Sequence, residues 1–264
     1  EDDIRGPRKS RRLITNPAPA FQQLLVMDFE WTCDNKPFPH APEIIEFPAV
    51  LVQGTFPFQV LDEFQQYVRP TDCPRLTSFC TSLTAITQDM VDSGVDLKSA
   101  MESFHEWLRS HGLVDSPSPW EPSSAREEGR GGPCSGGGSH HIKRMGFAVV
   151  TWGDVDVMTT LRRQLQRLRL PLPPYFTYWI NLKALFRQHY KRDPKGGLQR
   201  VVEGCRLTFE GRAHSGLVDS RNTAKIVQQM QCQGFRFTRA TRGVDKHGYA
   251  YGEKSRKTDR SAGS

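Results

Sequence analysis

The chain has 264 residues, 37% of them hydrophobic, with a formal net charge of +7 and an isoelectric point near 9.2. That length holds one sizeable domain plus extensions, the low apolar fraction predicts flexible segments, and the basic balance points to a polyanionic partner or to basic tails. No apolar run is long enough to span a bilayer, no apolar h-region follows the N-terminus, and the six dispersed cysteines form no C-x-x-C pair. These features argue against a membrane protein, a secreted one and a zinc or redox motif, and predict reduced thiols in an intracellular protein, cytoplasmic or nuclear.

Residues 1–20 are polar and basic, with Arg8, Lys9, Arg11 and Arg12 close together and Pro17 and Pro19 behind them. They read as a disordered arm. The apolar run Leu24 to Met27 then predicts a strand buried on both faces. Asp28 and Glu30 interrupt it. Residues two apart on a strand share a side, so the sequence places two acids together at the end of a buried strand. Like charges so placed repel and are costly to bury, and a divalent cation relieves both problems. Taken alone, D-x-E is far more often two surface acids, because short motifs match by chance.

A proline-rich loop over 34–42 leads to strands predicted at Glu43–Gly54 and Phe58–Val68, whose short connections favour antiparallel pairing. Thr77 is placed to cap a short helix through Leu83 and Ile86, and Asp96 a longer one in which Leu97, Met101, Phe104 and Leu108 recur at helical spacing until Gly112. Residues 115–145 are rich in Ser, Pro and Gly and read as a disordered insertion; His140 and His141 within it have no partners with metal-site spacing. Phe147 to Thr151 predicts another buried strand, followed by Asp154, Asp156 and a helix with Val157, Leu161, Leu165 and Leu168 on one side. Trp179 to Lys183 predicts a short strand leading into a helix that reaches Tyr190. Gly197–Gly204 and the stretch from Asp219 onward read as further helices. From Arg236 eight Lys or Arg stand against three acids with no apolar period after Phe237, so 238–264 reads as a disordered basic tail. The domain therefore spans 21–237, an α/β arrangement with antiparallel first strands and helices on the faces.

Two further acids stand where chain elements change. Asp156 follows a buried strand at a helix start, with Asp154 as its competitor. Asp219 also precedes a helix, five residues after His214 in a Gly-containing loop. A loop histidine suits a general base. Together Asp28, Glu30, Asp156, Asp219 and His214 would support two-metal phosphodiester hydrolysis, with two Mg²⁺ or Mn²⁺ ions roughly 3.5–4 Å apart.

Five blocks carry a resemblance, and they occur in order: Asp-Phe-Glu-x-Thr-Cys (28–33), Glu-Ile-Ile-Glu-Phe-Pro (43–48), Gly-Asp-x-Asp (153–156), Trp-Ile-Asn-Leu-Lys (179–183) and Gly-Arg-x-His-Ser-Gly-x-x-Asp-x-x-Asn (211–222). Over roughly 20–237 the chain resembles the DEDDh 3′–5′ exonucleases, and among them the ERI-type exoribonucleases. The resemblance implies a ribonuclease H-like fold with a central mixed β-sheet. It implies Mg²⁺-dependent trimming of single-stranded or overhanging RNA 3′ ends with release of 5′-monophosphates. Asp28, Glu30, Asp156 and Asp219 match the metal ligands, which favours Asp156 over Asp154. Glu30 and His214 match the catalytic positions, His214 as base, and Phe29, Glu30, Trp31 and His214 the substrate contacts. The chain departs from the family pattern in carrying Trp31 where a small residue is usual and Val155 where Trp is usual. A DNA exonuclease with the same site, or a catalytically weak RNA-binding protein, are the alternatives.

Overall fold

The computed structural model describes residues 21–37, 40–120, 146–244 and 250–252. The expected N-terminal arm, most of the insertion with its two histidines, and the last twelve residues lie outside these.

The first strand, β1 (Gln23–Met27), is the middle of the molecule. On one side it pairs antiparallel with β3 (Ile44–Gln53), Leu24 opposite Val52, and on the other parallel with β5 (Phe147–Thr151), Leu25 opposite Val149. A two-residue strand, β2 (Glu30–Trp31), pairs with β3 on the same edge as β1, and β4 (Val60–Tyr67) covers the other edge. Beyond β5 lies β6 (Tyr178–Asn181), also parallel. The antiparallel strands β7 (Arg242–Val244) and β8 (Ala250–Gly252) complete an eight-stranded mixed sheet.

The unbroken apolar run of β1 follows from burial on both faces. Leu25 and Met27 join one core with Phe47, Phe104 and Val149, whereas Leu24 and Val26 join another with Ile180, Phe186 and Ile226. Each such side chain withdrawn from water contributes about 1.5–3 kcal/mol. The first core is roofed by α3 (Leu97–Ser110), started by the Asp96 side chain accepting from Ser99 N–H and buried through Leu97, Met101, Phe104 and Leu108. The second is roofed by α5 (Leu182–Tyr190), α6 (Leu198–Gly204) and α7 (Gly216–Cys232).

Several expectations shift. The Thr77-capped helix α1 (Ser78–Thr84) stops before Ile86, and a second short helix, α2 (Gln88–Asp92), follows under a Thr87 cap that short windows do not reveal. The helix after β5 opens as a π-helical turn, Val155–Leu161, and becomes α-helical only over α4 (Arg162–Arg167). Its Leu168 is exposed, as is Val60 on β4, so neither joins the core. The insertion begins later than composition indicated: Ser118 and Trp120 are buried, and Ser116 carbonyl meets His105 Nε2 at 2.9 Å. The chain after Phe237 is not wholly irregular, because β7 extends the sheet from β6. Among the described residues no helix is long and apolar enough to cross a membrane.

Candidate active site

Because β1, β5 and β6 are parallel, their C-terminal ends share one edge of the sheet, the usual place for a site in such sheets. Asp28 is the first residue after β1. It does not lie on one strand with Glu30, as the sequence spacing suggested. The chain leaves the sheet at Asp28 and Phe29 and re-enters as β2, where Glu30 stands opposite Glu46. The detour has a local cause. The Phe29 ring turns into the core, its centroid 4.8 Å from that of Phe47. Its N–H donates to Asp156 Oδ1 at 3.0 Å. Phe29, expected to touch substrate, therefore has a buried side chain and offers the site its backbone.

Asp156 arrives from the π-helical turn after β5, a distortion often found at functional sites. Its neighbour Asp154 is occupied elsewhere. Trp179 Nε1 donates to one of its oxygens at 3.0 Å and Arg242 Nε approaches the other at 3.2 Å. So Asp156 sits with Asp28, while Asp154 ties β6 to β7.

Asp219 comes from the first turn of α7. The helix starts at Gly216, earlier than the sequence reading placed it, and Ser215 makes no side-chain cap. The cap is Glu46, the third residue of β3. Its two oxygens accept from Gly216 N–H at 2.8 Å and Leu217 N–H at 3.1 Å, and Gln65 Nε2 also donates to it. A carboxylate buried at a helix N-terminus meets both orphan donors and a favourable dipole. Glu46 belongs to the block at 43–48, from which the sequence alone assigns it no role. The signal is a lone acid, third in a strand buried almost throughout, IIEFPAVLVQ.

His214 precedes α7 with φ +62, a left-handed backbone that a non-glycine residue adopts at a cost of about 1–3 kcal/mol and that clusters at functional sites. Asp219 Oδ2 holds it there by accepting from His214 N–H at 2.8 Å. The imidazole is exposed, and its ligating nitrogen, a Glu30 oxygen and an Asp219 oxygen lie within 4.8 Å of one another. Asp219 Oδ1 is buried and has no hydrogen-bond partner among the described residues.

The electrostatics favour a cation at this site. Burial raises Asp28 far above the usual carboxylate range, reinforced by the charges of Asp156, Asp219 and Glu30 and by a hydrogen bond to Asp156. Burial, then Asp219, Glu46 and Asp156, pushes Glu30 up to about 8. Asp156 and Asp219 rise to about 6, again chiefly through burial, with hydrogen bonds from Phe29 N–H and His214 N–H opposing it. Four carboxylates enclosed together with an orphaned oxygen are expensive without a counter-charge. The hard oxygen donors and the neighbouring imidazole fit Mg²⁺ or Mn²⁺.

The helix must approach β1 closely for this geometry. A Cβ on Gly216 would sit 2.5 Å from the Asp28 carbonyl oxygen and 3.0 Å from Pro48 Cγ. Gly216→Ala is therefore expected to displace Asp219 and His214 and lower turnover about a hundredfold, the scale of an ångström-sized misplacement. Paired melting and activity curves would check it; unchanged turnover would mean the approach is not needed.

The two departures lie at the rim. Trp31 is half-buried against the first core, and Val155 is 49% exposed beside Asp156.

Comparison with known proteins agrees with this geometry. Residues 25–118 match the exonuclease family model RNase_T. The chain is 35% identical over 234 residues to the 3′-5′ exonuclease Snipper of Drosophila melanogaster, covering 88% of this chain and 76% of that protein. It is 36% identical over 246 residues to human ERI1 exoribonuclease 2, covering 91% of this chain but only 32% of that protein. It thus spans about a third of the length of the ERI1 exoribonuclease 2 relatives it matches. The crystallographic structure of the nuclease domain of 3′hExo, a DEDDh family member bound to rAMP, superposes with a TM-score of 0.69 at 29% identity, covering 85% of this chain and 98% of that one. The fold is therefore ribonuclease H-like, as the sequence blocks implied. The chain belongs to the DEDDh 3′–5′ exonuclease family, in its ERI-type branch, a family that depends on divalent metal ions.

Proposed function

We propose that this chain is a 3′–5′ exoribonuclease that hydrolyses phosphodiester bonds at RNA 3′ ends, using two Mg²⁺ ions for which Mn²⁺ can substitute. The observation that carries the reading is the buried, unpartnered Asp219 Oδ1 among carboxylates of raised pKa, beneath an exposed histidine. Asp28, Glu30, Asp156 and Asp219 would hold the ions. When bound, the ions neutralise this cluster and supply Lewis-acid stabilisation to the scissile phosphate. His214 takes the proton of the attacking water. A water oxygen–phosphorus bond forms, the bond to the 3′ oxygen breaks, that oxygen takes a proton from solvent, and a nucleoside 5′-monophosphate leaves behind a new 3′-hydroxyl. Glu30, Trp31 and the Phe29 backbone meet the terminal nucleotide, Trp31 by stacking on its base. Membership of the ERI branch and the rAMP held by the 3′hExo nuclease domain support the choice of RNA. The catalytic unit runs from Phe21 through β7 and β8.

The test is a time course on 5′-labelled RNA with a 3′ overhang, beside a matched DNA strand, with Mg²⁺ or chelator. Loss of the base is expected to cost about 10²–10⁴-fold, so His214→Ala should nearly abolish a Mg²⁺-dependent ladder of shortened products. Shortening of DNA alone would replace the sugar preference. Binding without shortening would leave an RNA-binding protein.

A further inference from the structure

At the far end of the helical face the chain builds a second charged feature that hydrolysis does not use. The corner between α5 and α6 encloses a cleft of about 280 Å³. Its floor is apolar, Phe186 and Val201 being almost fully buried. Its walls carry Arg192, Lys195 and Arg200, all exposed. The acid in the lining, Asp193, is paired with Arg187. Three cations converging on one hollow repel each other, which favours an anionic occupant.

The cleft is held in shape. Arg192 Nη2 donates to the Gly204 carbonyl at 3.0 Å, and its guanidinium lies 5.8 Å from the Tyr190 ring centroid. Gly196 takes φ +78, and a Cβ there would come within 2.7 Å of Arg200 Cδ, so glycine lets the Arg200 stem lie across the loop.

Its position relative to the carboxylates is fixed by α7. That helix begins against the Asp28 carbonyl. Thirteen residues later Gln229 accepts from Tyr190 Oη at 3.2 Å and donates to the Cys205 carbonyl at 2.8 Å. At 1.5 Å per residue the corner lies about 20 Å along α7 from the site. With 3.4 Å per stacked nucleotide, that is about six nucleotides.

We propose that the α5–α6 cleft binds a backbone phosphate of the RNA strand upstream of the 3′ end held at the carboxylates. The identity of the ligand rests on the exoribonuclease reading; the cleft's preference for a polyanion does not. The test compares wild type with Lys195→Glu/Arg200→Glu, and with the milder Lys195→Gln/Arg200→Gln, after matched melting curves. Binding of labelled RNA of about twenty and about three nucleotides, lengths chosen to bracket the span of the cleft, is followed across salt. Each single-strand phosphate contact contributes about 0.7 to the slope of log affinity against log salt. The reversal should therefore flatten the slope on the long RNA by about 0.7 and weaken its binding at least tenfold, while cleavage of the short RNA is unchanged. Equal affinity and slope on the long RNA would overturn the proposal, and if an Asp/Glu-rich peptide lost binding instead, the cleft would belong to an acidic protein. Equal losses on short and long RNA would also overturn it. A slope that is flatter in the variant than in the wild type, with a wild type that shortens no RNA, would keep the cleft and sink the exonuclease reading.

Discussion

Asp28→Asn is expected to lower metal-dependent shortening of RNA by about a thousandfold or more. The group lies at the centre of the acidic cluster, next to Asp156 and under the influence of Asp219 and Glu30. A cation held by such a set supplies several kcal/mol of charge stabilisation, and each 1.36 kcal/mol is tenfold in rate. Asn keeps the shape and removes the charge, so the loss should fall on turnover while RNA binding survives. Asp156→Asn should behave alike, since Asp156 also anchors the Phe29 N–H at the break between β1 and β2. The informative control is Asp154→Asn, two residues away in sequence. Asp154 accepts from Trp179 Nε1 and pairs with Arg242 across β6 and β7. Its loss should lower the melting temperature by a few degrees, on the scale of about 1 kcal/mol for one hydrogen-bonded acceptor, and leave turnover per folded molecule near normal. Single-turnover gels of the three variants, normalised to folded protein, measure this. Equal losses in Asp154→Asn and Asp156→Asn would contradict the division of roles.

Much of the scaffold was legible because short-range signals agreed with the tertiary structure. The run Leu24 to Met27 reads as a strand covered on both faces, and it is one; Asp96 and the apolar period after it define α3 in full. The grouping of Asp28, Glu30, Asp156, Asp219 and His214 in one place was also legible, since each follows or begins an element ending on the same edge of the sheet. What was illegible depends on partners distant in sequence. The true start of α7 is set by Glu46, 170 residues away, whose oxygens replace a local cap. The break between Asp28 and Glu30 is set by Phe29 finding Phe47 and Asp156 rather than by any residue that breaks strands. β7 is three residues long, too short for a period, and exists because the edge of β6 is there to pair with it. Trp120 is buried although it stands in a Ser- and Pro-rich context, because the first core has room for it.

Without divalent cations the folded chain is expected to lose stability as pH rises from the ordinary carboxylate range toward pH 9, the opposite of the usual acid-denaturation behaviour. Asp156 and Asp219, ordinarily near 3.8, titrate at about 6 in the folded chain, Glu30 moves from 4.5 to about 8, and Asp28 rises well above 3.8. Across that window the native state holds protons that the unfolded chain has released. The number bound is larger in the native state, so the unfolding free energy falls with pH. Each pK unit corresponds to 1.36 kcal/mol. Partial exposure of Glu30 and proton sharing between Asp28 and Asp156 reduce the sum, leaving a loss of about 2 kcal/mol between pH 6 and 8, or roughly 4–8 °C for a domain of this size. Divalent cations should reverse the trend, because they bind the deprotonated cluster and displace its protons. Millimolar Mg²⁺ or Mn²⁺ should then raise the melting temperature more at pH 8 than at pH 6, where Glu30 remains protonated. Calorimetric titration in two buffers of different ionisation enthalpy should register more protons released per ion at the lower pH. Melting temperatures that are flat with pH, and raised equally by metal at both values, would mean that the carboxylates are neither buried nor coupled as the geometry requires. A metal shift that grows with pH in the wild type and vanishes in Asp219→Asn would tie the effect to the orphaned oxygen at the base of the site.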